Sequence, residues 1–195
     1  MEDPFEVLES LFSIGDTETL LGSATTALRE FPDDPEILAY RAYAKFAETI
    51  RLYKAECEDL IRKSSEKAAN FLFKRVFLGR DEFYSDKIHE QYYKQIEADT
   101  DSLIAALVAM PEEYPLIQEL AAAAVRLLLE PASAELKEMR YLLSADDTYA
   151  ELLLRFMDKT DLEETKAAYL AAYPKKKDRL PNQEKILASI EKLLV

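Results

Sequence analysis

The feature that most constrains the fold is the helical spacing of apolar residues in stretches that prolines separate. Apolar side chains recur three or four positions apart along most of the chain, which is the spacing of one face of an α-helix. The chain contains only three glycines, whereas the commonest hairpin turns of β-sheets need residues that tolerate positive φ. The sequence therefore predicts an all-α fold. The prolines between the predicted helices are Pro32, Pro35, Pro111, Pro115, Pro131, Pro174 and Pro181.

The predicted helices form a single domain over residues 1–195, because a chain of this length fits one core. Residues 1–63 open it with a helical hairpin and a long helix, and residues 64–195 continue as a helical bundle or as degenerate repeats. A break or kink near Ser64-Ser65, where serine can cap a new helix, divides the long apolar stretch. The alternative is one unbroken helix from Pro35 to Gly79. The predicted helices cover 4–13, 16–31, 35–63, 65–79, 83–97, 100–110, 112–129, 132–143, 146–158, 161–173 and 182–194.

The long helix carries an apolar seam between residues 39 and 60. Its members alternate at spacings of four and three residues over about three heptads. Such a seam is buried either against helices of the same chain or against a second copy, so self-association through residues 39–60 is one structural hypothesis. The seam residues are Ala39, Tyr43, Phe46, Ile50, Tyr53, Cys57 and Leu60.

The net charge of −13 argues against duplex nucleic acid as a partner, because binding there depends on neutralising phosphates. The charge is uneven: residues 51–80 carry eight basic and four acidic side chains, and residues 173–195 carry six and three. These basic segments predict contact either with an acidic partner or with acidic parts of the same molecule. No apolar run approaches the ~20 residues that a membrane helix requires. The acidic start and the single cysteine are typical of a cytoplasmic protein.

Residues 4–35 carry the spacing of a known helical repeat. Two apolar positions, a Gly-Asp turn, a small residue and a closing proline follow one another at Val7, Leu11, Gly15, Asp16, Ala27 and Pro32. In these positions the segment resembles a tetratricopeptide repeat (TPR). It departs from the repeat pattern at Pro4, Leu8 and Leu20. The resemblance implies a TPR-like array of helical hairpins, here continuing into an antiparallel bundle, and a scaffold whose concave face binds peptides or helices.

One TPR subtype grips C-terminal carboxylates with Lys and Asn on the first helix, and the corresponding positions here look like Phe5 and Glu9, so that clamp is not expected. Aromatic and basic residues also alternate in 71–93, which suits an acidic, aromatic-anchored peptide. Phe73 and Phe77, however, are spaced like ordinary core residues of a helix. The candidates for partner binding are Phe5, Glu9, Tyr40, Tyr43, Lys74, Arg75, Arg80 and Tyr84.

A second hypothesis rests on two acidic pairs, Glu135-x-x-Glu138 and Asp158-x-x-Asp161. Their spacing resembles the paired carboxylates with which all-α nucleotide pyrophosphohydrolases hold Mg²⁺ on phosphates. The alternative is structural, because Asp158 and Asp161 fall at a predicted helix joint, where aspartate is a common cap. His89 is the only histidine, and a di-iron motif that needs two histidines is therefore excluded.

These observations predict a protein-interaction module or scaffold that binds a protein or peptide partner and has no catalytic activity. Nothing in the sequence indicates a cofactor. A Mg-dependent nucleotide phosphohydrolase and a self-associating structural protein are the alternatives. The basic loop at residues 175–179 is more typical of a solvated linker than of a lipid or RNA site, because the rest of the chain is acidic.

Overall fold

The computed structural model describes residues 3–67, 91–92, 94–129, 147–179 and 181–195. All regular structure in these ranges is helical, so the predicted all-α class is confirmed. The predictions on residues 68–90 and 130–146 lie outside the described residues. The helices are α1 (Pro4–Ile14), α2 (Thr17–Ala27), α3 (Pro35–Lys67), α4 (residues 94–109), α5 (Pro115–Leu129), α6 (Asp147–Leu154), α7 (Lys159–Ala172) and α8 (Pro181–Leu193).

Short-range hydrogen bonds set the ends of the first two helices. The Asp3 carboxylate accepts a hydrogen bond from the N–H of Phe5 at 3.0 Å and caps α1. Gly15 ends α1 with φ +73°, the left-handed conformation that favours glycine. Asp16 then accepts the N–H of Thr19 at 3.1 Å and caps α2. The predicted Gly15-Asp16 turn and the Asp16 cap are therefore confirmed.

The two glycines of this segment are expected to respond oppositely to alanine. Because Gly15 has a positive φ, Gly15→Ala should lower the free energy of unfolding by about 1 kcal/mol. Gly22 lies inside α2, and no atom lies within 4 Å of the place a Cβ would take, so Gly22→Ala should raise it by about 0.5–1 kcal/mol. Urea unfolding measures both values. A Gly15→Ala protein as stable as the wild type would contradict the left-handed turn.

α1 and α2 form an antiparallel hairpin. Phe5, near the start of α1, packs on Phe31, just beyond the end of α2, with ring centroids 6.1 Å apart. α2 ends at Ala27, earlier than the predicted residue 31, because the chain closes into turns in which the N–H groups of Glu30 and Phe31 both donate to the Ala27 carbonyl at 3.0 Å. Leu20 is fully buried and fixes the inner face of α2.

α3 runs parallel to α1. The ring of Phe12, near the end of α1, lies 5.2 Å from the ring of Tyr43 in α3. Just beyond the end of α1, the hydroxyl of Thr17, the first residue of α2, donates a hydrogen bond to the carboxylate of Glu48, farther along α3. Alternate helices therefore point the same way, with α2 returning between them.

α3 is one helix of 33 residues that continues through Ser64-Ser65 to Lys67, so a break at the serines is wrong, whereas a kink within the continuous helix stays a prediction. Serine costs an inner helical turn only a few tenths of a kcal/mol, and it caps a helix only where the backbone has already left helical geometry. A serine pair therefore permits a break without requiring one. The mean length of helices in proteins is a weak predictor of the length of α3, because packing against other helices supports α3 along most of its length.

The apolar seam of α3 is buried within the chain wherever its side chains are described. These members are all less than one-tenth exposed, while Cys57 and Leu60 have side chains outside the described set. The described part of the seam is therefore core in this chain, and self-association through the seam stays a prediction. The buried members are Ala39, Tyr43, Phe46, Ile50 and Tyr53.

α4 runs antiparallel to α3 and is fixed to it by a buried polar cluster. Asp99 is 0% exposed; its carboxylate accepts hydrogen bonds from the Thr49 hydroxyl at 2.6 Å and from the Gln95 amide at 2.8 Å. Lys45 lies 2.9 Å from the same carboxylate. The prediction of a joint between residues 97 and 100 is wrong, because α4 is continuous there. Asp99 binds Thr49 and Lys45 of α3 and Gln95 of its own helix, and it does not cap a new helix.

α5 runs parallel to α3. At their beginnings, the Tyr114 hydroxyl donates to the Glu36 carboxylate at 2.6 Å. Farther along, the ammonium group of Lys54, within α3, donates to the carbonyl of Leu127, near the end of α5, at 3.1 Å. α5 begins at Pro115, later than the predicted residue 112, because residues 111–114 form a turn. α1, α3 and α5 thus lie side by side with their N-termini at one end of the molecule.

α6 and α7 pack on α5, and α8 packs on α6 and α7. α7 and α8 are antiparallel, with Lys166 and Glu191 paired at 2.9 Å. In the basic loop between them, Arg179 donates to the Tyr173 carbonyl at 2.8 Å and to the Glu184 carboxylate at 3.0 Å, so this arginine closes the loop onto its own helices. Across the described ranges, every helix is too short or too polar to cross a lipid bilayer.

Candidate binding surface

The parallel arrangement of α1, α3 and α5 gathers carboxylates at the end of the molecule where these helices begin. Both connecting turns that lead into α3 and α5 are acidic, and so is the first turn of α1. Asp34 has a structural role. Its carboxylate accepts hydrogen bonds from the N–H groups of Glu36 and Ile37 at 3.0 and 3.1 Å and caps α3. The acidic residues at this end are Asp3, Glu6, Asp33, Asp34, Glu36, Glu112 and Glu113.

Carboxylates of three alternate helices, α1, α3 and α5, act electrostatically on Tyr40. Burial raises the pKa of the Tyr40 phenol, and the negative charges of Glu36, Glu9 and Glu119 raise it further. A charge changes a neighbouring pKa in this way only when it lies close by. The negative charges of α1, α3 and α5 therefore act together on this part of the molecule. We call it the acidic face and define it by Glu9, Glu36, Tyr40, Tyr114 and Glu119.

Tyr114 is the exposed aromatic ring of the acidic face. Its ring remains 40% exposed, while its hydroxyl donates to Glu36 at 2.6 Å. The hydrogen bond to Glu36, followed by the charge of that carboxylate, raises the pKa of Tyr114. The ring is thus held in one orientation beside a negative charge, an arrangement that suits a cation stacked on the ring and paired with the carboxylate.

A second exposed ring lies at the same end of the molecule. Phe31 is 41% exposed and rests on Phe5. Below the surface, the ring of Phe12 packs edge-on at 5.9 Å from Tyr40, so aromatic contacts fix α1 against α3. The surface therefore combines exposed aromatic rings, a rigid aromatic base and carboxylates from three helices.

The residues predicted to bind a partner have separate locations. Phe5 is half-buried on Phe31, and Glu9 is exposed on the acidic face. Tyr40 and Tyr43 are 2% and 6% exposed, so they support the surface from the core and are not presented to a partner. The remaining candidates, Lys74, Arg75, Arg80 and Tyr84, lie outside the described residues.

Sequence reasoning missed three members of the acidic face, Glu36, Tyr114 and Glu119. Their contact depends on the parallel packing of α3 and α5, which brings together residues 78 positions apart. One local pattern points to two of them, Glu36 and Tyr114: at both helix starts an acidic or tyrosine residue lies next to a proline, in Asp34-Pro35-Glu36 and in Tyr114-Pro115. Proline is common in the first turn of a helix, so these residues lie at the starts of α3 and α5.

The acidic pair proposed to hold a metal ion has a structural role where it is described. The Asp158 carboxylate accepts the N–H of Asp161 at 2.8 Å and caps α7. Asp161 lies 3.6 Å from the guanidinium of Arg126, while burial and the charge of Asp158 raise its pKa. Glu135 and Glu138 lie outside the described residues. Within the residues that are described, no three potential ligands cluster closely enough to hold a metal ion.

Comparison of the chain with protein-family models, with curated proteins and with solved structures finds no match.

Proposed function

We propose that the protein is an interaction module whose acidic face binds an extended, Lys- or Arg-bearing segment of a partner protein. The observation that carries this proposal is the hydrogen bond from the exposed Tyr114 to the Glu36 carboxylate at 2.6 Å, which joins α3 and α5. The exposed carboxylates of Glu9 and Glu119 add negative charge that also acts on the nearby Tyr40. The alternation of parallel helices with returning ones supports a TPR-like array, in which such a face is the usual docking surface.

The chemistry of the acidic face favours a basic partner over an acidic one. An acidic segment would meet like charges there, whereas a guanidinium group can stack on Tyr114 and pair with Glu36. Exposed ion pairs contribute only about 0.2–1 kcal/mol each, and salt weakens them. We therefore expect several contacts to act together, with an affinity that falls as the salt concentration rises.

Charge reversal on the acidic face is expected to weaken binding of a short fluorescein-labelled Arg-Gly-Ser peptide by at least about tenfold. The variant is Glu9→Lys with Glu119→Lys, because both side chains are exposed and neither has a capping role. Fluorescence anisotropy at low and at physiological salt measures the change.

The matched control is Asp101→Lys with Glu163→Lys, which changes the net charge equally on exposed positions of α4 and α7. The control should retain most of the affinity. Equal losses in the two double variants would show that the peptide responds only to net charge, and the proposed binding face would then be wrong.

A further inference from the structure

A second surface lies on the outer side of the α1–α2 hairpin. A groove of about 580 Å³ runs between the two helices, and Val7 and Leu8 of α1 form one of its walls. Its volume lies within the range of about 300–1,000 Å³ that is common for binding pockets. None of the five residues that define the acidic face lines this groove.

The other wall of the groove is a regular stripe of α2. The residues of the stripe recur at spacings of three and one, so they share one helical face. Leu20 and Ala24 lie between them in sequence and face the core, where both are fully buried. α2 thus has an inner apolar face and a second face made mostly of small side chains, namely Thr19, Gly22, Ser23, Thr26, Ala27 and Glu30.

The small side chains leave this face shallow and largely apolar. A Cβ at Gly22 would meet no atom within 4 Å. The Thr26 hydroxyl donates to the carbonyl of Gly22 at 3.0 Å, so its polar group is satisfied within α2. A site for a small polar molecule needs convergent polar groups, whereas a shallow groove of small residues lets the backbone of another helix approach closely.

We infer that this groove docks an amphipathic helix of a partner protein, with apolar residues in the groove and basic residues along its edges. The negative charge of the hairpin favours a partner helix with basic residues, because residues 3–31 carry six acidic side chains and one basic side chain, Arg29. A second copy of the same hairpin would bring equal negative charge to the contact. A helix flanked by Lys or Arg is attracted instead.

The probe is a synthetic peptide with leucines at helical spacing and lysines at the remaining positions, followed by fluorescence anisotropy. Gly22→Leu places a side chain in the groove without changing the net charge. It should weaken binding of this peptide by at least about tenfold. Thr25→Leu is the matched control, because Thr25 is exposed on the same helix but does not line the groove. That variant should bind like the wild type.

Three results would overturn the inference. Unchanged binding to Gly22→Leu would place the peptide elsewhere. Equal binding of a peptide with the same leucines but glutamates in place of lysines would remove the requirement for basic edges. Sedimentation showing a dimer that Gly22→Leu dissociates would make a second copy the occupant. Binding of the Arg-Gly-Ser peptide to Gly22→Leu should stay unchanged, which separates this groove from the acidic face.

Discussion

An Asp99→Ala variant is expected to have a free energy of unfolding about 2–4 kcal/mol below that of the wild type. The carboxylate is fully buried, so its removal leaves the buried Thr49 hydroxyl without its acceptor and opens a small cavity. Lys45 adds little to the loss, because its side chain is 49% exposed and its ammonium group can return to water. Urea unfolding followed by circular dichroism measures the difference.

Two further variants identify the cause of this loss. Asp101→Ala removes an exposed carboxylate from the same helix and should change the free energy of unfolding by less than about 0.5 kcal/mol. Asp99→Asn keeps an acceptor oxygen in place and should lose about 1–2 kcal/mol. If Asp99→Ala were as stable as Asp101→Ala, the buried contact between α3 and α4 would be refuted.

The second large effect is expected at the apolar seam of α3. Ile50 is 1% exposed and Leu52 is 45% exposed, although the two side chains have the same number of carbon atoms and lie on the same helix. Ile50→Ala should lower the free energy of unfolding by about 2–5 kcal/mol, as buried truncations do. Leu52→Ala should lower it by less than about 1 kcal/mol. Urea unfolding again measures both.

Protein concentration provides the control for this comparison. A seam buried inside one chain gives an unfolding midpoint that is independent of concentration, whereas a seam buried between copies gives a midpoint that rises with concentration. We expect independence over a wide concentration range. A rising midpoint that Ile50→Ala abolishes would show that the seam joins two chains.

Local features of the fold could be predicted from the sequence because neighbouring residues determine them. The Gly15-Asp16 turn needs only a residue that tolerates positive φ, followed by a side chain that caps the next helix. The start of α3 at Pro35 follows from the fixed φ of proline. The apolar seam followed from helical periodicity, which depends on spacing alone.

Features that depend on distant contacts could not be predicted in the same way. Asp99-Thr100 has the composition of a helix start, yet the partner of Asp99 is Thr49, 50 residues away. The acidic face likewise joins Glu36 to Tyr114 through the packing of α3 and α5. No local pattern in the sequence predicts which helices run parallel. Of the carboxylates of Glu9, Glu36 and Glu119 near Tyr40, only that of Glu9 was therefore among the predicted binding residues.

The parallel contact between α3 and α5 also has a consequence for synthesis of the chain on the ribosome. Lys54 and Leu127 are 73 residues apart in the sequence, and translation adds about 5–20 residues per second. The flank of α3 that receives α5 therefore remains uncovered for about 4–15 s. The acidic residues around the starts of α1 and α3 have already been translated by then, and their repulsion opposes the association of neighbouring nascent chains during this interval.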